Sequence, residues 1–276
     1  MPEADDTREV AATRVRRAPP RFLRAAVKVT TLRGARLVRV TLAGPELGEM
    51  EVPQPAGSVR LLLPSSGADE LIMPVWDRNI FRLPGGGRPV LRTLTPVRFD
   101  PAAGELDVEI VLHGSGVAAD WARAAGPGDP VAVSGPARGY TIDPAAPAFV
   151  LAGDETAFPA IGQIVEQLPP GARVEAHLEV GDPAGRVELP SHPNLDVTWH
   201  VMPAGATPGE AMAAAVETAE IGEGTRVFAA GEAAAVQRIR RHLFDVRGLP
   251  RAQVTGRGYW KHGRSGDNGA DDGRGE

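Results

Sequence analysis

The sequence predicts an N-terminal antiparallel β-barrel followed by a doubly wound α/β domain built on a parallel sheet. Two observations carry this expectation. Up to about residue 136 the chain is a series of short, β-branched segments separated by Gly and Pro turns, with one helix-like interruption. After Tyr140, continuous apolar runs alternate with helix-forming stretches, the pattern of strands buried on both faces between crossover helices. The chain's 276 residues suffice for two domains of ordinary size. We place them at 20–142 and 143–264, with disordered tails at 1–19 and 265–276.

In the first half, Ala26–Thr30, Leu37–Leu42 and Val59–Pro64 read as strands, punctuated by Gly34. Residues 64–90 read as loop, with Pro74, Pro84 and Gly85-Gly86-Gly87. The polar chemistry gathers at Arg92-Thr93-Leu94-Thr95-Pro96-Val97-Arg98-Phe99-Asp100. Pro96 biases Thr95 toward extended geometry. Strand alternation then puts Arg92 with Leu94 on one face and Thr93 with Thr95 on the other. A fixed guanidinium there suits a phosphate gripped through two hydrogen bonds, although a solvated edge-strand arginine fits the same residues. Glu105–Leu112 alternates cleanly, and Val131–Pro136 closes the set. Between these two, Gly114-Ser115-Gly116 precede a helical stretch from Val117 to Arg123. Glycines before a helix either make a turn or let backbone N–H groups approach an anion at the positive helix end.

In the second half, Phe149–Ala152 leads through Gly153-Asp154-Glu155-Thr156 into a helix over 157–167. Further strands are expected at 173–180, 197–201 and 226–230, with helices over 208–220 and 233–246. Ligands of such sheets sit at the carboxyl ends of the strands, where both Gly153-Asp154 and Gly231-Glu232 fall. No Gly-x-Gly-x-x-Gly follows the first strand and there is no P-loop, so a standard Rossmann fingerprint is excluded. Near the end, Gln253-Val254-Thr255 leads to Gly258-Tyr259-Trp260-Lys261-His262-Gly263-Arg264, whose aromatic pair serves as a hydrophobic plug or a ligand contact.

Composition narrows the function further. Hydrophobic residues make up 42% and charged residues 24%, as in soluble globular proteins. A net charge of −5 gives no electrostatic reason for nucleic acid or membrane as the main partner. The absence of cysteine excludes disulfides, thiolate chemistry and cysteine-ligated iron–sulfur clusters, and suits the cytoplasm. The first 20 residues lack an apolar signal core, and no apolar run approaches the ~20 residues of a membrane span. His113, His177, His192, His200, His242 and His262 are scattered without metal-ligand spacing.

Four groups of residues add a resemblance. The first is Arg92-x-x-Thr95 with Arg98-Phe99-Asp100. The second is His113-Gly114-x-Gly116 through Trp121-Ala122, with Pro127-Gly128-Asp129 and Gly135-Pro136. The third is Gly153-Asp154-Glu155-Thr156-Ala157-x-Pro159-Ala160-Ile161. The fourth joins Ala230-Gly231-Glu232-Ala233, Arg238-x-Arg240-Arg241 and Gly258-Tyr259-Trp260-Lys261-x-Gly263. In this order, over residues 20–264, the chain resembles the siderophore-interacting proteins, FAD-dependent ferric-siderophore reductases of the ferredoxin-reductase-like superfamily.

The resemblance implies a cytoplasmic, monomeric flavoprotein with an FAD-binding barrel and a nicotinamide-nucleotide-binding α/β domain. Electrons would pass from NADPH or NADH through FAD to Fe(III) held by a siderophore, releasing Fe(II). It implies that Arg92 binds an FAD phosphate, Thr95 hydrogen-bonds the isoalloxazine and Leu94 packs on the ring. His113, Gly114, Gly116, Val117, Ala118 and Ala119 would line the flavin and its diphosphate, while Trp121 anchors their helix in the core. Thr156, Tyr259 and Trp260 would approach the flavin from the α/β side. Gly153, Asp154, Glu155, Gly231 and Glu232 would border the nicotinamide nucleotide, with Arg238, Arg240 and Arg241 facing a 2′-phosphate. Lys261, Arg264 and Arg98 would form a basic rim for an anionic ferric siderophore. The flavin does the chemistry, so no catalytic side chain and no protein metal site are assigned.

Two residues depart from the family pattern, which usually has an aromatic where Leu94 stands and often a serine where Ala119 stands. Both changes imply weaker FAD retention. Ferredoxin-dependent members carry an extra C-terminal helix, and the Gly- and Asp-rich end after Gly263 favours the nicotinamide-dependent type. Another flavin oxidoreductase on the same scaffold, or a non-catalytic siderophore-binding protein, also fits the sequence.

Overall fold

A computed structural model describes residues 20–65, 70–77, 80–112, 116–137 and 139–263. The first domain contains β1 (Leu23–Leu32), β2 (Leu37–Ala43), β3 (Val59–Leu63), β4 (Val75–Asp77), β5 (Ile80–Arg82), β6 (Val90–Leu94), β7 (Pro96–Asp100) and β8 (Glu105–Val111). Helix α1 (Val117–Ala124) and β9 (Pro130–Ser134) complete it. Seven of these strands form one antiparallel sheet in the order β6-β3-β9-β1-β2-β8-β7. Its two outermost strands, β6 and β7, are separated in sequence by Thr95 alone. The sheet must therefore curl until its edges meet, giving a half-barrel rather than a ring paired all the way round. Alternation fills its interior: Val38, Val40 and Leu42 of β2 face Leu61 of β3 and Leu106, Val108 and Ile110 of β8 in one core. Within the segment expected to be loop, β4 and β5 pair as a short hairpin, with Phe81 packed against Phe22 at 5.0 Å.

The second domain is β10 (Ala148–Asp154), α2 (Phe158–Gln167), β11 (Arg173–Val180), β12 (Leu195–Val201), α3 (Glu210–Thr218), β13 (Arg226–Glu232), α4 (Ala233–Arg241) and β14 (Val254–Trp260). Its sheet is parallel, in the order β12-β11-β10-β13-β14. The central strand explains the two-sided core. Phe149 and Leu151 pack with α2 on one face, while Val150 and Ala152 pack with α3 and α4 on the other. The sheet has five strands where four were expected, because the glycine-rich Val254–Trp260 adds an edge strand beside β13. Helix α3 is shorter than the predicted 208–220, and α4 ends in a π-helical turn over His242–Val246. The two domains share a core: Leu37, Ala56 and Tyr140 of the first half are buried in the same cluster as Phe158, Ile161 and Phe228.

Candidate functional site

Thr95 stands where the two edges of the curled sheet meet. Pro96 opens β7 without an N–H to donate, and Thr95 is buried between the strand ends at 7% exposure. Three residues back, Arg92 lies opposite Leu61 in the β3–β6 pair and is half-buried. One guanidinium nitrogen, Nη1, donates to the Leu91 carbonyl at 2.8 Å. Val90 and Leu94, on the Arg92 face, pack against the barrel core. Leu94 thus contributes aliphatic packing at the site's edge. Arg98 lies on the paired face of β7 and β8, donating through Nε to Asp107 and through Nη2 to Glu105, both at 3.0 Å. Those hydrogen bonds raise the Arg98 pKa, and Lys28 also bonds Glu105.

Helix α1 packs against β8 and β2 of the same sheet. No side chain among the described residues caps its N-terminus, although the Gly116 N–H donates to Asp120 Oδ2 at 3.2 Å. Val117 and Ala118 are half-buried and Ala119 is buried, while Trp121 packs on the barrel core and anchors the helix there. A Cβ on Gly116 would meet no described atom within 4 Å. His113 and Gly114 lie outside the described residues, as does Arg264.

At the carboxyl ends of β10 and β13 the candidate nucleotide residues form an internal network. Asp154 Oδ1 accepts from the Thr156 amide at 2.9 Å and from its hydroxyl at 2.5 Å. Its Oδ2 accepts from the Glu232 amide and from the Trp260 indole, both at 2.8 Å. Burial pushes the Asp154 pKa up, against the pull of these donors. Gly231 admits that carboxylate: its φ is 138°, and a Cβ there would collide with Asp154 Oδ2. Gly153 serves packing, since a Cβ would lie 2.6 Å from the Ala157 Cβ. Glu232 caps α4 by accepting from Ala234 and Ala235 amides at 2.6 and 2.9 Å, and also takes the His262 N–H at 3.1 Å. Glu155 turns the other way, toward Arg36 in the first domain. Lys261 is exposed. Arg238 is paired to Glu217 at 2.7 and 2.6 Å, and Arg240 lies against Gly256.

Several residues that sequence reasoning missed hold this region together. Glu179, at the end of β11, is 3% exposed and caps α3 by accepting from the Gly209, Ala211 and Met212 amides. Gln163 of α2 and Arg257 of β14 reach across to the first domain at Ala56 and Pro96. Tyr259 is half-buried beside Thr95 and Arg257. Its hydroxyl is buried without a well-formed hydrogen bond among the described residues, and burial raises its pKa. Neither long-range glutamate capping nor a domain-spanning glutamine has a local sequence signal. Arg257, between Gly256 and Gly258, was hidden by the glycines that disguised its strand.

The comparisons with known proteins agree with this layout. Residues 14–140 match a siderophore-interacting FAD-binding domain, and residues 146–263 match the siderophore-interacting protein family. A siderophore utilization protein from T. fusca has the same fold, with a TM-score of 0.78 and 35% identity, covering 90% of this chain and 95% of that one. The ferric vibriobactin reductase ViuB of Vibrio cholerae is 30% identical over 235 residues, 83% of this chain and 85% of ViuB. The ferredoxin reductase of carbazole 1,9a-dioxygenase shares the fold alone, at a TM-score of 0.63 and 15% identity over 89% of this chain and 71% of that one. From the curled-sheet and parallel-sheet pairing to these matches, the chain belongs to the siderophore-interacting protein family.

Proposed function

We propose that the chain is an FAD-dependent ferric-siderophore reductase that draws electrons from NAD(P)H. The observation that carries this reading is the meeting of Thr95, at the joined edges of the curled sheet, with Tyr259 of β14, whose neighbour Trp260 shares the Asp154 carboxylate with Thr156 at the carboxyl end of the parallel sheet. Family membership and the ViuB likeness support the chemistry.

The residues present suit FAD. Arg92 offers a half-buried guanidinium for a phosphate, and Thr95 a hydroxyl for the edge of a ring. The α1 amides at Val117 and Ala118, with Gly116, His113 and Gly114, would receive the diphosphate, Asp120 competing for one N–H. Bound FAD supplies the exchange between a two-electron hydride donor and a one-electron ferric acceptor. The chain's own work is to hold that group, shield it and gather the acceptor. Lys261 and Arg264 would attract an anionic ferric siderophore, and Arg98, already neutralised by carboxylates, would contribute least. Hard oxygen donors hold Fe(II) less tightly than Fe(III), so reduction frees the metal without a protein ligand set.

The test is the visible spectrum of the purified protein supplied with FAD, followed anaerobically. A bound-flavin spectrum that bleaches with NADPH or NADH and returns on adding a ferric siderophore is expected. Failure to bind FAD would remove the reading.

A second reading concerns the donor, and one observation favours it. The N-termini of α3 and α4, natural seats for a dinucleotide diphosphate, are filled by Glu179 and Glu232. A donor that needs no phosphate cradle, such as a small reduced electron-transfer protein, avoids displacing them. Bleaching by photoreduced ferredoxin but not by millimolar NADPH or NADH would select it.

A further inference from the structure

Ala56 is the one non-glycine residue with positive φ among the described residues, at 52°, and it is fully buried. A left-handed alanine carries a steric cost of roughly 1–2 kcal/mol and persists where its surroundings over-determine it. Here the surroundings belong to the other domain. Gln163 Oε1 accepts from the Ala56 N–H at 2.9 Å, and Arg257 Nη1 donates to the Ala56 carbonyl at 2.5 Å. Each of those side chains also takes a second first-domain group. Gln163 Nε2 donates to the Pro96 carbonyl at 2.7 Å, and Arg257 Nη2 to the Gly139 carbonyl at 2.7 Å. The Gln163 amide orientation is fixed by this pairing, since an N–H faces its oxygen and a carbonyl faces its nitrogen.

Pro96 follows Thr95 directly, at the point where the curled sheet's edges meet and no ladder bond continues between β6 and β7. The Pro96 N has no proton, so Pro96, which pairs opposite Val108 in β8, is tied to α2 through its carbonyl, and that capture anchors the residue to which Thr95 is bonded. We propose that Gln163 is a positioning residue: by bridging Ala56 and Pro96 from α2, it makes docking of the α/β domain set the pose of Thr95. This rests on the flavin reading for its consequence, because Thr95 is the residue assigned to the isoalloxazine. The geometry itself does not depend on a bound flavin. Gln163 bonds Ala56 and Pro96, and acts on Thr95 through Pro96, its neighbour in the chain.

The test compares Gln163→Leu and Gln163→Glu with Val165→Ala, a core truncation on the same helix that leaves the bridge intact. Gln163→Leu loses both hydrogen bonds; Gln163→Glu keeps the acceptor for Ala56 and loses the donor to Pro96. Both Gln163 variants are expected to weaken FAD binding about tenfold and to change the visible circular dichroism of the bound flavin. Both are also expected to speed amide exchange across residues 93–99, measured by mass spectrometry without FAD. Val165→Ala is expected to lower Tm with flavin signal and exchange at 93–99 unchanged. If Gln163→Leu leaves exchange at 93–99 as in the parent protein, or if Val165→Ala alters it equally, the proposal is overturned. Should the parent protein bind no FAD, the flavin reading fails separately and the exchange comparison alone decides the bridge.

Discussion

The Arg36 guanidinium forks onto Glu155 across the domain boundary, Nε donating to Oε1 at 2.6 Å and Nη2 to Oε2 at 2.9 Å. Gly185 packs directly against this pair, since a Cβ there would lie 2.5 Å from Glu155 Oε1. Glu155 is therefore a docking group first. The pairing hydrogen bond raises the Arg36 pKa, and loss of the carboxylate strands a partly buried cation. Glu155→Gln is expected to destabilise the protein by about 2 kcal/mol, read by urea denaturation. Donor affinity, by anaerobic titration, is expected to stay within about twofold, a difference well below 1 kcal/mol. A large loss of donor affinity at unchanged stability would return Glu155 to the nucleotide site.

Gly231 is where backbone conformation and side-chain packing coincide. Its φ of 138° is disfavoured for any L side chain, and the space a Cβ needs holds the Asp154 carboxylate. Gly231→Ala is expected to cost about 3 kcal/mol. It is also expected to loosen the Asp154–Trp260 hydrogen bond, seen as a shift of tryptophan fluorescence. An alanine variant of parental stability would mean that the β13 end is softer than its contacts imply.

What the sequence revealed and hid follows from range. The Thr95 turn was legible because a proline acts on its own neighbour, and β10 because seven consecutive residues are buried on both faces or nearly so. Strand β14 was not, because Gly256 and Gly258 erase the β-branched signature while backbone pairing to β13 still orders the segment. The three-residue strands β4 and β5 are too short to show any period. Asp154 and Glu232 were rightly located at the strand ends, yet their partners, 78 residues apart in sequence, are set only by the fold. Arg36 and Glu155, 119 residues apart, carry no mutual signal at all.

The Glu217–Arg238 pair gives a pH-dependent test of a local ion pair. The Arg238 hydrogen bonds hold Glu217 below its ordinary pKa of 4.5. A depressed carboxylate contributes stability above its unfolded value and loses it as pH falls through the folded one. Glu217→Gln is expected to cost about 0.5–1 kcal/mol at pH 7, small because both groups are partly exposed. The difference is expected to vanish as the pH is lowered through and below 4.5. A cost that persists in acid would assign Glu217 a neutral packing role on α3.

On the proposed function, a substitution at Arg92 separates cofactor binding from folding. The arginine is half-buried on the face shared with Val90 and Leu94, and its Nη1 donates to the Leu91 carbonyl at 2.8 Å. Arg92→Met preserves most of the aliphatic stem and removes the charge. Loss of a charge-assisted phosphate contact worth about 1.5–3 kcal/mol corresponds to a tenfold to hundredfold weaker FAD complex. The Tm of the FAD-free protein is expected to change by no more than about 2 °C, because Met keeps an unbranched apolar stem on the Val90 and Leu94 face. Both quantities come from one FAD titration followed by thermal unfolding. Equal FAD affinity in the two proteins would move the phosphate contact away from β6, to the α1 amides, whereas a collapsed Tm would make Arg92 a structural residue of the β3–β6 pair.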